Sequence, residues 1–272
     1  MKSAKFDIVV YGATGFTGQL VAEYLAAHYK NDASLRWAMA GRSLDKLASV
    51  RDAIGAPADI ALIKTDASDP ASLRAMVDQT RSVISTVGPY QLYGSELVAA
   101  CATSGTDYFD LCGEPIWMRQ MIEAHEAAAK SSGSRIVFSC GFDSLPFELG
   151  AFVVQEEAKR VLGAAVSRVK GRVRDMRGTL SGGTAASAKA TFDAVSKDLS
   201  LVAILNNPFA LTPGFEGPKQ PRGNKPLYEE DLQSWAAPFM MALINTRNVH
   251  RSNMLMGFPD RKSTRLNSSH SS

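Results

Sequence analysis

The stretch from Phe6 to Leu20 limits what this chain can become more than any other. A short apolar strand, Ile8-Val-Val10, runs into Gly12-Ala-Thr-Gly15-Phe-Thr-Gly18, and a helix opens near Phe16. Buried strand, glycine turn and helix, in that order, form the phosphate end of a dinucleotide site: the glycines let the backbone turn tightly and approach a pyrophosphate, and the helix aims its unpaired N–H groups at the anion. The spacing is Gly-x-x-Gly-x-x-Gly rather than Gly-x-Gly-x-x-Gly, so the order of elements carries the reading more than the glycine pattern does. Gly12, Ala13, Thr14, Gly15, Phe16, Thr17 and Gly18 are the expected cofactor-binding residues of this turn.

The pattern then repeats. Strands are expected at Leu35–Ala40, Ile60–Ile63, Val83–Val87, Tyr108–Leu111 and Arg135–Ser139, with helices at Thr17–His28, Ser43–Ile54, Pro70–Gln79, Gly94–Ser104 and Ile116–Ser131. Six strands alternating with helices predict an α/β fold with a doubly wound parallel sheet of Rossmann type. Beyond Cys140 the alternation breaks. A helix around Leu149–Val161 precedes Val166–Arg174, where Arg168, Lys170, Arg172 and Arg174 alternate with apolar residues, as one polar strand face requires. Asn206–Pro226 carries five prolines and reads as a loop. The expected division is a Rossmann domain at 1–146 and a smaller, partial α+β domain at 147–259 for substrate or dimerisation, built on an antiparallel sheet.

The chain has 272 residues, 45% of them hydrophobic, and a formal charge of +3. Asp260, Arg261, Lys262 and Arg265 contribute +2 of that charge. The segment Asp260–His270 resembles the conceptual translation of a DNA-sequencing adapter, so 260–272 is expected to be a non-native tail rather than a nucleic-acid arm, with the gene product interrupted near Pro259. Cys101, Cys112 and Cys140 are too few and too scattered for a disulfide framework or a zinc site, which points to a reducing, cytoplasmic setting. No apolar run approaches the roughly 18 residues of a membrane span.

At the end of the second strand, where NAD sites carry an acidic residue for the ribose 2′-hydroxyl, this chain has Gly41-Arg42-Ser43. A guanidinium there, with the Ser43 hydroxyl beside it and Lys46 one helical turn on, suits a 2′-phosphate, and the expected cofactor is NADP. Read otherwise, Arg42 is a surface residue of a helix entry. Asp66, ending the third strand, is placed for the adenine or for capping the turn before Pro70. Gly88 and Pro89, after the fourth strand, are expected to line the nicotinamide side.

Taken together, Gly12–Gly18, Ala40-Gly-Arg42, Val87-Gly-Pro-Tyr90, Tyr108-Phe-Asp-Leu-Cys-Gly-Glu114, Cys140-Gly-Phe-Asp-Ser-Leu-Pro146 and Ser181-Gly-Gly-Thr184 resemble the saccharopine dehydrogenase-like oxidoreductases, and within them the trans-acting enoyl reductase branch. Trp235–Thr246 and Arg251-Ser-Asn253 fit the same branch. The resemblance implies a Rossmann domain joined to a smaller mixed-sheet domain, and NADP-dependent reduction of a double bond in polyketide-derived lipid precursors. It also implies an incomplete second domain, since members of that family continue past the point where this chain stops.

Hydride transfer needs a held nicotinamide, excluded water and a proton source more than it needs particular residues. The Tyr-x-x-x-Lys pair of short-chain dehydrogenases is absent. Tyr90 and Tyr93, at the carboxyl edge of the sheet, are the candidate catalytic proton donors; the alternative is that their rings pack under the next helix. Glu114, and Asp143 with Ser144, stand at the same edge, where helix capping competes with chemistry. No metal-ligand spacing occurs. Phe239–Ile244 with Asn245, Arg247 and Arg251 reads as an apolar pocket wall with a polar mouth, or as core. The expected substrate is a small apolar molecule of lipid type; the pattern leaves open a homodimer and peripheral membrane contact and excludes nucleic acid. The alternatives carried are imine reduction of the saccharopine type and a non-catalytic dinucleotide-binding sensor or scaffold.

Overall fold

The structure, a computed structural model, describes residues 4–30, 32–175, 177, 181–221 and 223–257, and the backbone of 265–271. It divides into two compact units. The first comprises 1–112, 120–140 and 182–191, and the second 113–119, 141–181 and 192–272.

In the first unit, strands β1 (Phe6–Tyr11), β2 (Trp37–Gly41), β3 (Ala61–Lys64), β4 (Thr80–Ser85), β5 (Asp107–Asp110) and β6 (Ile136–Val137) form one parallel sheet in the order β3-β2-β1-β4-β5-β6. This is the doubly wound order, and its reversal point lies between β1 and β4. Helices α1 (Phe16–Tyr29), α2 (Leu44–Ala53), α3 (Pro70–Val77), α4 (Tyr90–Tyr93), α5 (Ser95–Ser104) and α6 (Pro115–Ser132) connect the strands. Near-continuous apolar strands, such as the fully buried Trp37–Gly41, are what a sheet covered on both faces demands. One core layer gathers Val10, Leu25, Trp37, Met39 and Leu47. Val9, on the alternate face of β1 by the two-residue period, is equally buried.

Capping follows local chemistry. Ser43 caps α2, its Oγ accepting from Lys46 N, and Asp69 caps α3 through Ala71 N and Ser72 N ahead of Pro70. Asp66 caps the turn before Pro70 rather than the helix itself. Its Oδ1 accepts from the backbone N–H and hydroxyl of Ser68, at 2.9 and 2.8 Å.

The second unit contains α7 (Leu145–Leu162), β7 (Arg168–Val173) and, after the later part of α8 (Gly182–Lys197), α9 (Leu201–Asn206), β8 (Leu227–Glu229), β9 (Ser234–Pro238), α10 (Ala242–Leu255) and β10 (Arg265–Ser271). Its sheet, ordered β7-β10-β9-β8, is mixed rather than antiparallel: β10 runs parallel to β7 and antiparallel to β9. Asp260, Arg261 and Lys262 of the basic tail lie outside the described residues, as does Gly178. No described helix is long and apolar enough to cross a membrane.

The alternating basic face of β7 is not an open cationic surface. Glu229, whose side chain is 2% exposed, pairs with Arg172 and, at 3.5 Å, with Lys170, and Asp231 pairs with Lys170 as well. Arg247 also departs from expectation: instead of standing at a pocket mouth, it is buried in α10 and donates to the carbonyls of Leu205, Asn207 and Leu243. A cation on the last carbonyls of α9 satisfies groups that helix geometry leaves unpaired. Burial without a carboxylate partner lowers the Arg247 pKa to about 10.

Candidate cofactor site

The carboxyl ends of β1, β2, β3 and β4 meet at the edge where open α/β sheets bind ligands. After Tyr11 the chain turns through Gly12 at φ +88°, and Gly12 and Ala13 donate to the Ala40 carbonyl, tying the turn to the end of β2. Gly15 donates to Gly12 O at 2.9 Å and becomes the N-cap of α1. The first turn of α1 has no side-chain cap bond and no acidic residue. Its N–H groups and the positive end of its dipole are therefore left for an anion.

Gly12 and Gly18 are required by space. A Cβ on Gly18 would strike the Gly12 carbonyl, with the carbonyl carbon at 2.7 Å, and one on Gly12 would meet Thr86 Oγ1 and Val87 Cγ2, each at 2.7 Å. Gly15 has more room, its nearest neighbour being Gly12 O at 3.3 Å. Gly18→Ala should accordingly cost about 1–3 kcal/mol of stability through overpacking, and Gly15→Ala clearly less. Thermal unfolding of the two variants compares them directly; equal losses would refute the packing argument. Thr14 and Thr17 are half-buried in this turn, Ala13 is buried, and Phe16 is 76% exposed.

Arg42 is exposed just past β2, with Ser43 half-buried beside it and Lys46 exposed on the first turn of α2. Thr65 N donates to Gly41 O, which brings the residue after Gly41 and the residue after Thr65 to neighbouring strand ends. Asp66 accordingly feels Arg42. Its pKa is lowered first by the Ser68 hydrogen bonds and also by that guanidinium. Tyr11, between them, has its phenol pushed up to about 12, chiefly by burial and next by the Asp66 charge. Of the expected cofactor residues beyond the glycine turn, Arg42, Ser43 and Lys46 thus lie together, with Asp66 at the adjacent strand end.

Gly88 and Pro89 follow β4 and enter α4. The two tyrosines there differ. Tyr90 is buried, its Oη donating to Ser85 O at 3.1 Å and accepting from Leu111 N at 3.4 Å, so the phenol braces the ends of β4 and β5. Tyr93 is 47% exposed.

Sequence reasoning missed Asp110. It is 2% exposed and accepts from Tyr108 Oη at 2.9 Å, Cys112 N at 2.9 Å and Ser139 N at 2.8 Å, while its own carbonyl takes Cys140 N. This side chain ties the turns after β5 and β6. The Tyr108 pKa is raised well above its ordinary value, mainly by burial and next by the Asp110 charge. A signal was available: in Tyr108-Phe-Asp110 the period of two puts phenol and carboxyl on one face of the strand. Cys112 is buried, as a small core residue would be. Glu114 accepts Met118 N on its carbonyl, as the residue leading into α6. Ser144 is the N-cap of α7 without a side-chain cap bond.

The family profile described as the saccharopine dehydrogenase NADP binding domain matches residues 8–137. The chain is 41% identical over 261 residues to a Mycobacterium tuberculosis protein named provisionally as a trans-acting enoyl reductase, covering 93% of this chain and 62% of that protein. It is 38% identical over 268 residues to the trans-acting enoyl reductase of Mycobacterium leprae, covering 93% of this chain and 62% of the relative. It thus spans a little under two thirds of the length of these relatives. Among solved structures, the apo saccharopine dehydrogenase (L-Glu forming) of Saccharomyces cerevisiae is similar with a TM-score of 0.45 and 19% identity, over 61% of this chain and 34% of that one. Residues 8–137 of the chain are thus similar to the saccharopine dehydrogenase NADP binding domain.

Proposed function

We propose that this chain is the nucleotide-binding and adjoining part of an NADPH-dependent reductase acting on an activated carbon–carbon double bond of an apolar, lipid or polyketide-derived substrate. Arg42 carries the reading: an exposed guanidinium stands at the tip of β2, where an NAD site would hold a carboxylate, beside an α1 N-terminus with no acidic residue in its first turn. The double-bond half is supported by sequence shared with relatives named for enoyl reduction.

Bound NADPH would supply the hydride. The backbone of Gly12–Gly18 would hold the pyrophosphate, Arg42, Ser43 and Lys46 the 2′-phosphate, Asp66 the adenine side, and Gly88–Pro89 the nicotinamide side. Of the two tyrosines, Tyr93 is our proton donor for the carbon next to the carbonyl, because its phenol is open to solvent. Tyr90 holds the turn, its proton committed to Ser85 O. Residues 147–259 we take as the substrate and dimerisation part, and the compartment as the cytoplasm, where the free thiols of Cys101 and Cys112 would persist.

The test is NADPH consumption with 2-enoyl thioesters of increasing chain length, with the saturated product identified by mass. Oxidation that requires the double bond supports the reading, and a preference for imines over enoyl esters would redirect it to the saccharopine type of reduction. Tyr93→Phe should lower kcat about 10²-fold with unchanged NADPH affinity. An unchanged kcat would remove Tyr93 from that role.

A further inference from the structure

Gly88 has a neighbour from far along the chain. Residues 182–191, the first part of α8, belong to the first unit together with β4 and α4. Gly88 is exposed, and a Cβ built on it would find the Tyr90 ring at 3.6 Å and Ser187 Oγ at 4.0 Å. The Ser187 hydroxyl therefore stands beside the backbone that follows β4. Thr191 holds it there: its Oγ1 accepts from Gln91 Nε2 at 3.2 Å and donates to Ser187 O at 3.0 Å.

Ser187 and Thr191 are four residues apart and share one helix face. Both are half-buried, whereas Ala185, Ala186, Ala188 and Lys189 are exposed, so the face bearing Ser187 is the one laid on the segment 88–91. The other hydroxyls at this place are committed. Tyr90 Oη donates to Ser85 O and accepts from Leu111 N, and Thr191 Oγ1 is taken up by Gln91 and Ser187 O. A serine hydroxyl offers one donor and two acceptor sites, so it serves a ligand amide alongside a protein partner.

We infer that the first part of α8 forms one wall of the nicotinamide end of the cofactor site, and that Ser187 Oγ accepts a hydrogen bond from the carboxamide NH2 of the bound nucleotide. The inference rests on the nucleotide reading above and adds to it a contact residue from outside the strand–turn–helix repeat.

Calorimetric titration of the full chain with three ligands tests it: NADP+, its acetylpyridine analogue, in which a methyl replaces the carboxamide NH2, and 2′-phospho-ADP-ribose, which has no pyridine ring. The chain should bind NADP+ about two- to tenfold more tightly than the analogue, the range of one net hydrogen bond. Ser187→Ala should weaken NADP+ by that factor and erase the preference over the analogue. Affinity for 2′-phospho-ADP-ribose should stay within about twofold in that variant. Thr191→Val, which removes the acceptor of Gln91 and keeps Ser187, should reduce the preference in the same direction; should Ser187→Ala fail to fold, this variant decides. An unaltered preference would overturn the inference. Equal losses for NADP+ and the analogue would overturn it too, marking Ser187 as a packing residue of α8. Binding of 2′-phospho-ADP-ribose with no gain for NADP+ would refute the Ser187 contact and leave the 2′-phosphate assignment standing, whereas failure of all three ligands to bind would sink the nucleotide reading and this inference with it.

Discussion

Replacing Asp110 with alanine is expected to lower the stability of the first unit by about 3–5 kcal/mol. The reason is what the substitution leaves behind. The N–H groups of Cys112 and Ser139 and the hydroxyl of Tyr108 all donate to this one carboxyl, and all three residues are buried. Each donor stranded without an acceptor costs about 1–3 kcal/mol, and the costs overlap because the groups share one small volume. For a chain of this size the midpoint should fall by roughly 10 °C. Asp110→Asn, which keeps one acceptor oxygen and introduces a competing donor, should lose an intermediate amount. Thermal unfolding followed by circular dichroism gives the comparison; a fall below about 1 kcal/mol would show that the turns after β5 and β6 hold without their shared acceptor.

The second large effect concerns the cofactor. Arg42→Ala should weaken NADPH about 10- to 100-fold while changing NADH less than about threefold, since a hydrogen bond to a charged group contributes about 1.5–3 kcal/mol. Two features put the loss at the upper end. The Arg42 guanidinium is a cation felt by Asp66, whose carboxylate is ionised near neutral pH as any aspartate is. Its removal would leave that negative charge facing the incoming phosphate with less to offset it. The remaining side chains of the cluster, Ser43 and Lys46, are also less able to grip: the Ser43 Oγ already accepts the Lys46 N–H, and a lysine ammonium is a point charge without the planar fork of a guanidinium. Calorimetry with both nucleotides measures the ratio. Equal losses for NADPH and NADH would overturn the assignment of Arg42 to the 2′-phosphate.

The legible parts of this molecule are those that local chemistry dictates. Ile8–Val10 cannot sit anywhere but in a buried strand, and the run of glycines behind it announces a close approach whose partners, Gly12 O and Thr86 Oγ1, only the fold supplies. Ser43 was readable as a cap because the hydroxyl and the N–H it accepts are three residues apart. Illegible features mostly involve partners that no local pattern links to them. Tyr90 looked like chemistry because it stands at the ligand-binding edge, yet its hydroxyl reaches the Ser85 carbonyl and the Leu111 N–H. The cations of β7 looked free because their acidic partner, Glu229, lies 57 residues beyond Arg172. Arg247 looked like a polar mouth, and nothing in its surroundings announces that the carbonyls of Leu205 and Asn207 would receive it. In the second unit the strands are short and β8 and β9 are separated from β7 by a long proline-rich stretch, so the order and direction of that sheet left little periodic trace.

The contact between Gly18 and the Gly12 carbonyl has a consequence for affinity. With the helix start pressed against the turn, and the turn itself bonded to Ala40 O, the loop that would receive a diphosphate is preorganised and has few alternative shapes to surrender. A ligand arriving there pays little ordering entropy, so more of each N–H contact reaches the measured dissociation constant.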